Sequence, residues 1–346
     1  MHGTGIRIEG LKKRYGSGDT AVDALKGVDM QVAPGEVVGL IGPSGSGKST
    51  LLKCLGAVIE PSAGRMVVGD EVIYADGWKV GDLRALRRDR IGFVFQAPYL
   101  IPFLDVTDNV ALLPMLAGMP NAEARARARD MLESLDVQHR ARAMPSQLSG
   151  GEQQRVAIAR ALAPEPAAIL MDEPFSGLDP SLRDSVRDAA LDAIRAAGIP
   201  ALLVTHDPAE ALEHADRIAI MSQGKLLQEG PAREIYTQPV SAAVAGALGP
   251  VNRFTAGDVP AGLLTGQAPG AMILVRPEGV CIDPASGIRA RVLSARMTGP
   301  LTRLTLDLNG LKMTALVPPV TEIVPGMEIG VRLDPALTFT FASGEV

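Results

Sequence analysis

The chain has 346 residues, enough for two domains, and its 47% hydrophobic content can fill a large core. The net charge of −5 and the aromatic content of 3% give neither a basic footprint nor a base-stacking surface, so nucleic acid is not an expected partner. The two cysteines, Cys54 and Cys281, show no metal spacing and are most simply explained by a reduced cytosolic protein. No stretch approaches the roughly 18 consecutive apolar residues of a membrane-spanning helix, so we expect no bilayer span, and any service to a membrane would be that of a peripheral subunit.

The first strong motif is residues 42–50, which fit the pattern G-x-x-x-x-G-K-[ST] between the apolar run Val37–Ile41 and a predicted helix beginning at Lys48. Glycines let the backbone N–H groups face a phosphate chain, the Lys48 ammonium reaches the β- and γ-phosphates, and the Ser49 hydroxyl can bind Mg²⁺. A Gly-rich turn with a chance lysine is the alternative, which the strand before and the helix after disfavour. The predicted phosphate-binding residues are Gly42, Pro43, Ser44, Gly45, Ser46, Gly47, Lys48, Ser49 and Thr50.

Four apolar runs predict buried strands of an α/β sheet, and each is followed by polar residues. The runs are Val37–Ile41, Ile91–Phe95, residues 168–171 and Ala201–Val204. The last three precede Gln96, the pair Asp172-Glu173, and His206. Ligands of open α/β sheets bind beyond the carboxyl ends of the strands, so these polar residues are expected at one site. Taken singly, the acidic pair could cap a helix, and the Gln or His could be structural.

Residues 97–104 read Ala-Pro-Tyr-Leu-Ile-Pro-Phe-Leu and are strongly apolar. Their two prolines prevent a regular helix. Such a segment either packs as a buried loop or exposes an apolar contact surface for a partner.

Residues 148–154 read Leu-Ser-Gly-Gly-Glu-Gln-Gln, in which Ser149 and Glu152 form a capping box. The box opens an Ala-rich predicted helix that runs through Ala163. Capping alone would explain the pair. The capped end also exposes N–H groups and a positive dipole, which suit an anion.

Beyond about residue 245, glycine and proline become frequent and the apolar runs shorten. The runs cover residues 272–275, 280–282, 291–293, 301–308, 312–317, 329–333 and 337–341. Turn residues separate them, as in Asn309-Gly310. This pattern predicts a small barrel of short strands.

These motifs, in this order over about residues 6–240, resemble the ATP-binding-cassette (ABC) family. The phosphate loop, the signature at residues 148–154 and the Walker B segment ending in Asp172-Glu173 are joined by Tyr15, Gln96, Asp179 and His206. The resemblance implies a P-loop α/β cassette over residues 1–245, with a helical signature subdomain at about 97–165. It also implies ATP and Mg²⁺ as ligands and hydrolysis of ATP as the activity.

The resemblance assigns catalytic and metal roles as follows. Glu173 would be the general base or position the attacking water, because phosphoryl transfer needs that water in line with the γ-phosphate. His206 would contact the γ-phosphate, and Gln96 would sense Mg²⁺ and the water. Asp172, with Ser49 and Gln96, would hold Mg²⁺.

The resemblance also implies contacts that cross between two subunits. In the family, Ser149, Gly150, Gly151 and Gln153 bind the ATP held by another copy. One signature and one phosphate loop per chain then require a head-to-tail two-fold dimer. Asp179 would cross the same interface, and Tyr15 would stack on adenine, although a tyrosine beside a glycine also suits a surface turn. Residues 97–104 would receive a helix of an integral-membrane permease.

A second resemblance concerns residues 246–346, where Arg276-Pro277-Glu278 is similar to a segment of the TOBE extension of ABC importer ATPases. Residues 70–147 look like exporter and lipoprotein-release ATPases instead, while residues 228–239 look like importers of ferric iron, polyamine, sulfate or molybdate. The leading expectation is an importer ATPase on the cytoplasmic face of the inner or plasma membrane, working with a permease and a periplasmic or extracellular substrate-binding protein. An exporter-type ATPase and a soluble ABC ATPase are the alternatives, and the catalytic motifs do not encode the transported substrate.

Overall fold

The computed structural model describes residues 5–260, 262–264, 270–319 and 323–342, so the predicted barrel range 246–346 includes short segments outside the described residues. The chain divides into two compact units, Met1–Ala232 and Arg233–Val346. The helices are α1 Lys48–Leu55, α2 Leu83–Asp89, α3 Val106–Leu116, α4 Asn121–Ser134, α5 Gly150–Leu162, α6 Pro180–Ala196, α7 Pro208–His214, α8 Ala232–Thr237 and α9 Ala242–Ala247. In the described part of the chain, no helix is both long and apolar enough to cross a bilayer.

Two sheets form the framework of the first unit. Its strands are β1 Ile6–Tyr15, β2 Val22–Val32, β3 Val37–Ile41, β4 Ala63–Val68, β5 Glu71–Ala75, β6 Ile91–Phe95, β7 Ala168–Asp172, β8 Ala201–Val204, β9 Arg217–Ser222 and β10 Lys225–Gly230. One sheet is antiparallel, in the order β2-β1-β4-β5. The other has the order β10-β9-β3-β8-β7-β6, and its pairs are parallel except β9 with β10. All four predicted strands lie in this second sheet.

The parallel strands are apolar along their length because both faces of the sheet are covered. Successive residues of β7 alternate between two cores: Ile169 packs with the helical core of α3 to α6, whereas Leu170 packs with the core shared by α1 and the antiparallel sheet. Cys54 lies in this second core and is fully buried, as expected of a small core residue, and burial raises its thiol pKa to about 12. The thiol is therefore protonated at neutral pH and inert.

The second unit contains two antiparallel sheets of short strands. They are β11 Asn252–Thr255, β12 Met272–Val275, β13 Val280–Ile282, β14 Arg289–Met297, β15 Thr302–Leu308, β16 Leu311–Val317, β17 Glu328–Leu333 and β18 Thr338–Phe341. One sheet has the order β11-β12-β18 and the other β13-β17-β14-β15-β16. Along β15 and β16, buried residues alternate with more exposed ones, so one face packs on the core of this unit. The predicted all-β character of this region is confirmed.

The boundary between the two units lies earlier in the chain than the predicted position 245/246, because α8 and α9 pack within the second unit. Arg276 is fully buried and donates to the backbone oxygens of Ala245 at 2.8 Å and Tyr236 at 3.4 Å. Ala242 and Ala245 share a core with Phe339. Residues 233–245 thus belong with the barrel by contacts, and the independent folding of cassette and barrel stays a prediction.

Truncation tests that prediction. A chain ending at Ala232 should fold and keep the nucleotide site expected at residues 42–50, because every motif of that site lies in the first unit. A chain ending at Leu248 should bind nucleotide equally well but leave α9 without its partners, so limited proteolysis should remove its end first. Nucleotide binding and proteolysis of both truncations are compared with the full chain. Lost binding in soluble, folded residues 1–232 would contradict independent folding.

Candidate functional site

The loop of residues 42–50 connects the end of β3 to α1, and its glycines are required by geometry. Gly47 has φ of +106°, and a Cβ there would lie 2.6 Å from the Ala24 oxygen. A Cβ on Gly42 would lie 2.1 Å from the Met221 oxygen. No side chain caps the start of α1. The helix therefore presents its first backbone N–H groups and positive dipole end to an anion.

Lys48 places a cation over this loop. Its side chain is buried, and Nζ donates to the Gly42 oxygen at 2.6 Å and the Pro43 oxygen at 3.0 Å. Burial lowers the Lys48 pKa, while the nearby Glu173 and Asp172 carboxylates oppose that shift. The ammonium is thus held where a phosphate chain on the loop would meet it.

A cavity of about 550 Å³ opens over the loop and is large enough for a nucleotide. Its lining joins Gly42, residues 44–50, Glu173 and His206 with residues of β2 and of the turn after β9: Val22, Asp23, Ala24, Lys26, Gln223 and Gly224. Loop geometry, buried lysine and cavity size together fit ATP. Sequence reasoning missed the β2 and turn residues, since no local motif marks them.

A second cavity, of about 330 Å³, adjoins the first through Ser49 and Glu173 and also contains Gln96 and Asp172. A hydroxyl, an amide and a carboxylate are the oxygen ligands that Mg²⁺ prefers. The described residues contain no group of three or more His, Cys, Asp or Glu side chains able to hold a metal. The donor set of Ser49, Gln96 and Asp172 fits Mg²⁺ whose remaining ligands are phosphates and water. Burial, then the neighbouring Glu173, raises the pKa of Asp172, while Lys53 and Lys48 lower it.

Glu173 is held in an unusual backbone conformation next to His206. Its φ is +50°, a left-handed value that costs energy for a non-glycine residue and is common at functional sites. Its N–H donates to the Val204 oxygen at 2.9 Å, and its Oε2 lies 2.9 Å from His206 Nδ1. From the sequence, both side chains were expected at the γ-phosphate, but their contact with each other was not predicted. Their positions after the adjacent parallel strands β7 and β8 were the available signal.

The signature segment forms the predicted capping box at the start of α5. Ser149 Oγ accepts from the Glu152 N–H at 3.3 Å, and Glu152 Oε2 accepts from the Ser149 N–H at 2.7 Å. A hydrogen bond from Arg140, together with these contacts, lowers the Glu152 pKa to about 2. The segment lines neither cavity of its own chain: Ser149, Gly150, Gly151 and Gln153 are all absent from both linings.

Two further predicted site residues also lie outside both linings. Asp179 caps α6 by accepting from the Ser181 N–H at 2.9 Å and Oγ at 2.6 Å, which lowers its pKa. Tyr15, at the end of β1, is 41% exposed and pairs in register with Val22, which does line the larger cavity. Lys13 Nζ lies 5.1 Å from the Tyr15 ring centroid. Tyr15 is therefore close to the cavity and accessible to a flat aromatic ligand.

Comparison with known proteins gives matches for both units. Residues 25–176 match the ABC transporter family and residues 273–341 match the TOBE domain. The chain is 36% identical to the Fe(3+) ions import ATP-binding protein FbpC 1 of Rhodococcus jostii (strain RHA1), over 95% of this chain and 96% of that protein. It is 40% identical to the lipoprotein-releasing system ATP-binding protein LolD of Paramagnetospirillum magneticum (strain ATCC 700264 / AMB-1), over 66% of this chain and 100% of that protein.

Among solved structures, the chain is similar to the ATP-binding cassette MJ0796 in a dimeric post-hydrolysis state bound to ADP and Pi. That match has a TM-score of 0.58 and 35% identity, and it covers 66% of this chain and 98% of the other.

Proposed function

The chain belongs to the ATP-binding-cassette transporter family, and from this premise we propose that it is the ATP-hydrolysing subunit of a binding-protein-dependent importer. Import is favoured over export by how much of the chain aligns with each type of relative. The iron-import relative aligns with 95% of the chain, including the TOBE unit, whereas the lipoprotein-release relative aligns with 66%. The exporter-like features of residues 70–147 are local, and the second unit is a whole domain.

The residues around the larger cavity support a division of labour in hydrolysis. Residues 42–50 and the Lys48 ammonium bind the phosphates, and the Ser49 hydroxyl with Asp172 and Gln96 would hold Mg²⁺. A bound Mg²⁺ supplies charge neutralisation at the β- and γ-phosphates. Glu173 Oε2, 2.9 Å from His206 Nδ1, is the acceptor placed to orient a water and take its proton. His206 fixes the orientation of that carboxylate and contacts the γ-phosphate.

The position of the signature supports a composite site made by two copies. Ser149, Gly150, Gly151 and Gln153 lie outside both cavities of their own chain. They stand at the N-terminus of α5, a helix of 13 residues whose positive dipole end suits an anion. A head-to-tail dimer would bring it to the ATP of the second copy, with Asp179 crossing the same interface. Tyr15 would stack on the adenine.

A permease is the proposed partner of residues 97–104, which we name the docking loop. Tyr99 is 70% exposed and Phe103 is 77% exposed, while Leu100 is partly buried against the helical core. The loop therefore combines the two arrangements expected from its sequence: Leu100 packs in the interior, and the Tyr99 and Phe103 rings are exposed. Two exposed aromatic rings are typical anchors for a partner's helix. The partner proposed here is a cytoplasmic helix of the permease.

Replacing Tyr99 and Phe103 by serine should weaken association with the permease. Each ring loses apolar contact area. Basal ATP hydrolysis should persist in Phe103→Ser alone, because Phe103 lies outside both cavities, whereas Tyr99 lines the smaller one. Leu100→Ser is the matched control for folding, since it alone removes a core contact. Co-purification with the permease and basal ATPase rate are the measurements. Full permease association in the double variant would contradict the assignment.

The assembly is tested in cells that produce the protein. We place the subunit on the cytoplasmic face of the membrane, working with the permease and a substrate-binding protein on the other side. Deleting its gene should abolish uptake of one substrate in a panel of radiolabelled ferric iron, sulfate, molybdate and polyamine, and a Glu173→Gln copy should fail to restore it. Normal uptake of every substrate together with lipoproteins retained at the inner membrane would favour the release-type alternative.

A further inference from the structure

The signature helix α5 donates hydrogen bonds to the last residue of β6 and to the docking loop that follows it. Gln154, which is 1% exposed on α5, donates from Nε2 to the Phe95 oxygen at 3.1 Å, at the residue before Gln96. Farther along the same helix, Arg160 donates from Nη1 to the Tyr99 oxygen at 2.8 Å and from Nη2 to the Pro98 oxygen at 2.7 Å. The Gln154 bond fixes the strand end before the loop, because a buried amide is costly to leave unpaired, and the two Arg160 bonds constrain the loop itself.

The Arg160 guanidinium donates its hydrogen bonds to these two carbonyl oxygens. Within the described residues it makes no ion pair, and burial lowers its pKa. The fork of the guanidinium spans two consecutive carbonyls, which a single ammonium could not do in the same way. One of them belongs to Tyr99, whose φ of +45° is left-handed and needs support from its surroundings. Arg160 therefore fixes the backbone that presents an exposed ring.

The other end of the docking loop is held by a helix as well. Asn109 of α3 is fully buried, accepts from the Ile101 N–H at 2.7 Å and donates to the oxygens of Ile101 and Leu104 at 3.1 and 3.0 Å. These side-chain anchors of the loop come from α3 and α5, not from the parallel sheet. The loop should follow those helices when they move, with Gln96 at the junction to the sheet.

Resting on the proposed function, we propose that Arg160 is a positioning residue that couples the docking loop to the ATP-binding start of α5. When ATP draws Ser149 and its neighbours to a second copy, α5 shifts, and the Arg160 fork carries the Pro98 and Tyr99 backbone with it. Tyr99 then moves against the permease. The same link carries a permease movement back to the signature.

Hydrogen–deuterium exchange tests this link in the full-length Glu173→Gln protein, after light scattering has verified that MgATP makes it dimerise. MgATP should lower exchange in peptides from the start of α5 and from the docking loop together. With Arg160→Met added, the α5 peptide should keep its ATP response and the docking-loop peptide should lose it. Arg160→Lys, which keeps the charge but loses the fork, should give a partial response.

The matched control is Arg155→Met on the same helix, because Arg155 donates to the Leu135 oxygen and Ser185 Oγ and not to the docking loop. It should leave both ATP responses intact. A merely structural role for Arg160 would raise loop exchange with and without ATP but preserve the ATP-dependent change, which would overturn the proposal. No α5 response in the Glu173→Gln parent would instead contradict the composite site of the proposed function. If Arg160→Met does not fold, Arg160→Lys decides by the same criterion.

Discussion

Glu173→Gln should abolish steady-state ATP hydrolysis while leaving ATP binding intact. The amide keeps the size of the side chain and its contact with His206, 2.9 Å away, but cannot take a proton from water. General-base catalysis contributes about 10²–10⁴-fold, so we expect a loss of kcat in that range. The phosphate loop is untouched, so the affinity for ATP should stay unchanged and ATP should accumulate the closed dimer.

Phosphate release, fluorescent-ATP binding and size-exclusion chromatography measure the three expected results. Glu165→Gln is the matched control, because Glu165 has a similar left-handed φ of +55° but lies outside both cavities. It should hydrolyse ATP at the native rate. Near-native turnover in purified Glu173→Gln would remove Glu173 from the catalytic role.

Arg276→Met should destabilise the second unit strongly. Tyr236 and Ala245 lie in the last turns of α8 and α9, and their oxygens are among the carbonyls that a helix end leaves without partners. The buried guanidinium donates to both and lies 4.0 Å from the Tyr236 ring centroid. It thus caps two helices at once, with its cation at the favourable end of each dipole.

Two opposing effects set the size of the loss. Methionine removes the cost of burying a charge, and one guanidinium nitrogen, Nε, has no hydrogen-bond partner among the described residues. Against this, the buried Ala245 bond to a charged donor is lost, at about 1.5–3 kcal/mol, together with the longer, part-buried Tyr236 bond and the cation–π contact. We expect a net loss of about 3 kcal/mol, which lowers the Tm of a unit of this size by roughly 10 °C.

Calorimetry of the full chain should show the shift in the transition of the second unit, with ATP binding unchanged. Arg303→Met, on the exposed side of β15, is the control and should melt like the native protein. If the Arg276→Met protein is as stable as the native one, the free energy gained by no longer burying the charge equals the free energy lost with the capping hydrogen bonds.

The sequence predicted which polar residues stand at the carboxyl edge of the parallel sheet, because the signals for them are local. Residues 42–50, Gln96 and Asp172-Glu173 follow an apolar run directly, and His206 follows one after a single residue, so covalent connection alone carries them to the carboxyl edge of the parallel sheet. The capping box at Ser149 is equally local, since its two partners are three residues apart. The family and the ATPase activity followed from these motifs and are confirmed by the similarity of the whole chain.

Contacts between residues distant in sequence were decided only by the tertiary structure. The pairing of His206 with Glu173, the hold of Arg160 on the docking loop and the capping of α8 and α9 by Arg276 join positions 33, 61 and 31 residues apart. No periodicity or spacing encodes such contacts. Composition placed the unit boundary where glycine and proline increase, yet α8 and α9 pack with the barrel, where Arg276 donates to the Tyr236 and Ala245 oxygens and Ala242 and Ala245 share a core with Phe339. Local sequence thus determined which chemical groups stand at each strand end, and packing determined which of them touch, because hydrogen bonds to buried groups form only once the chain has brought distant segments together.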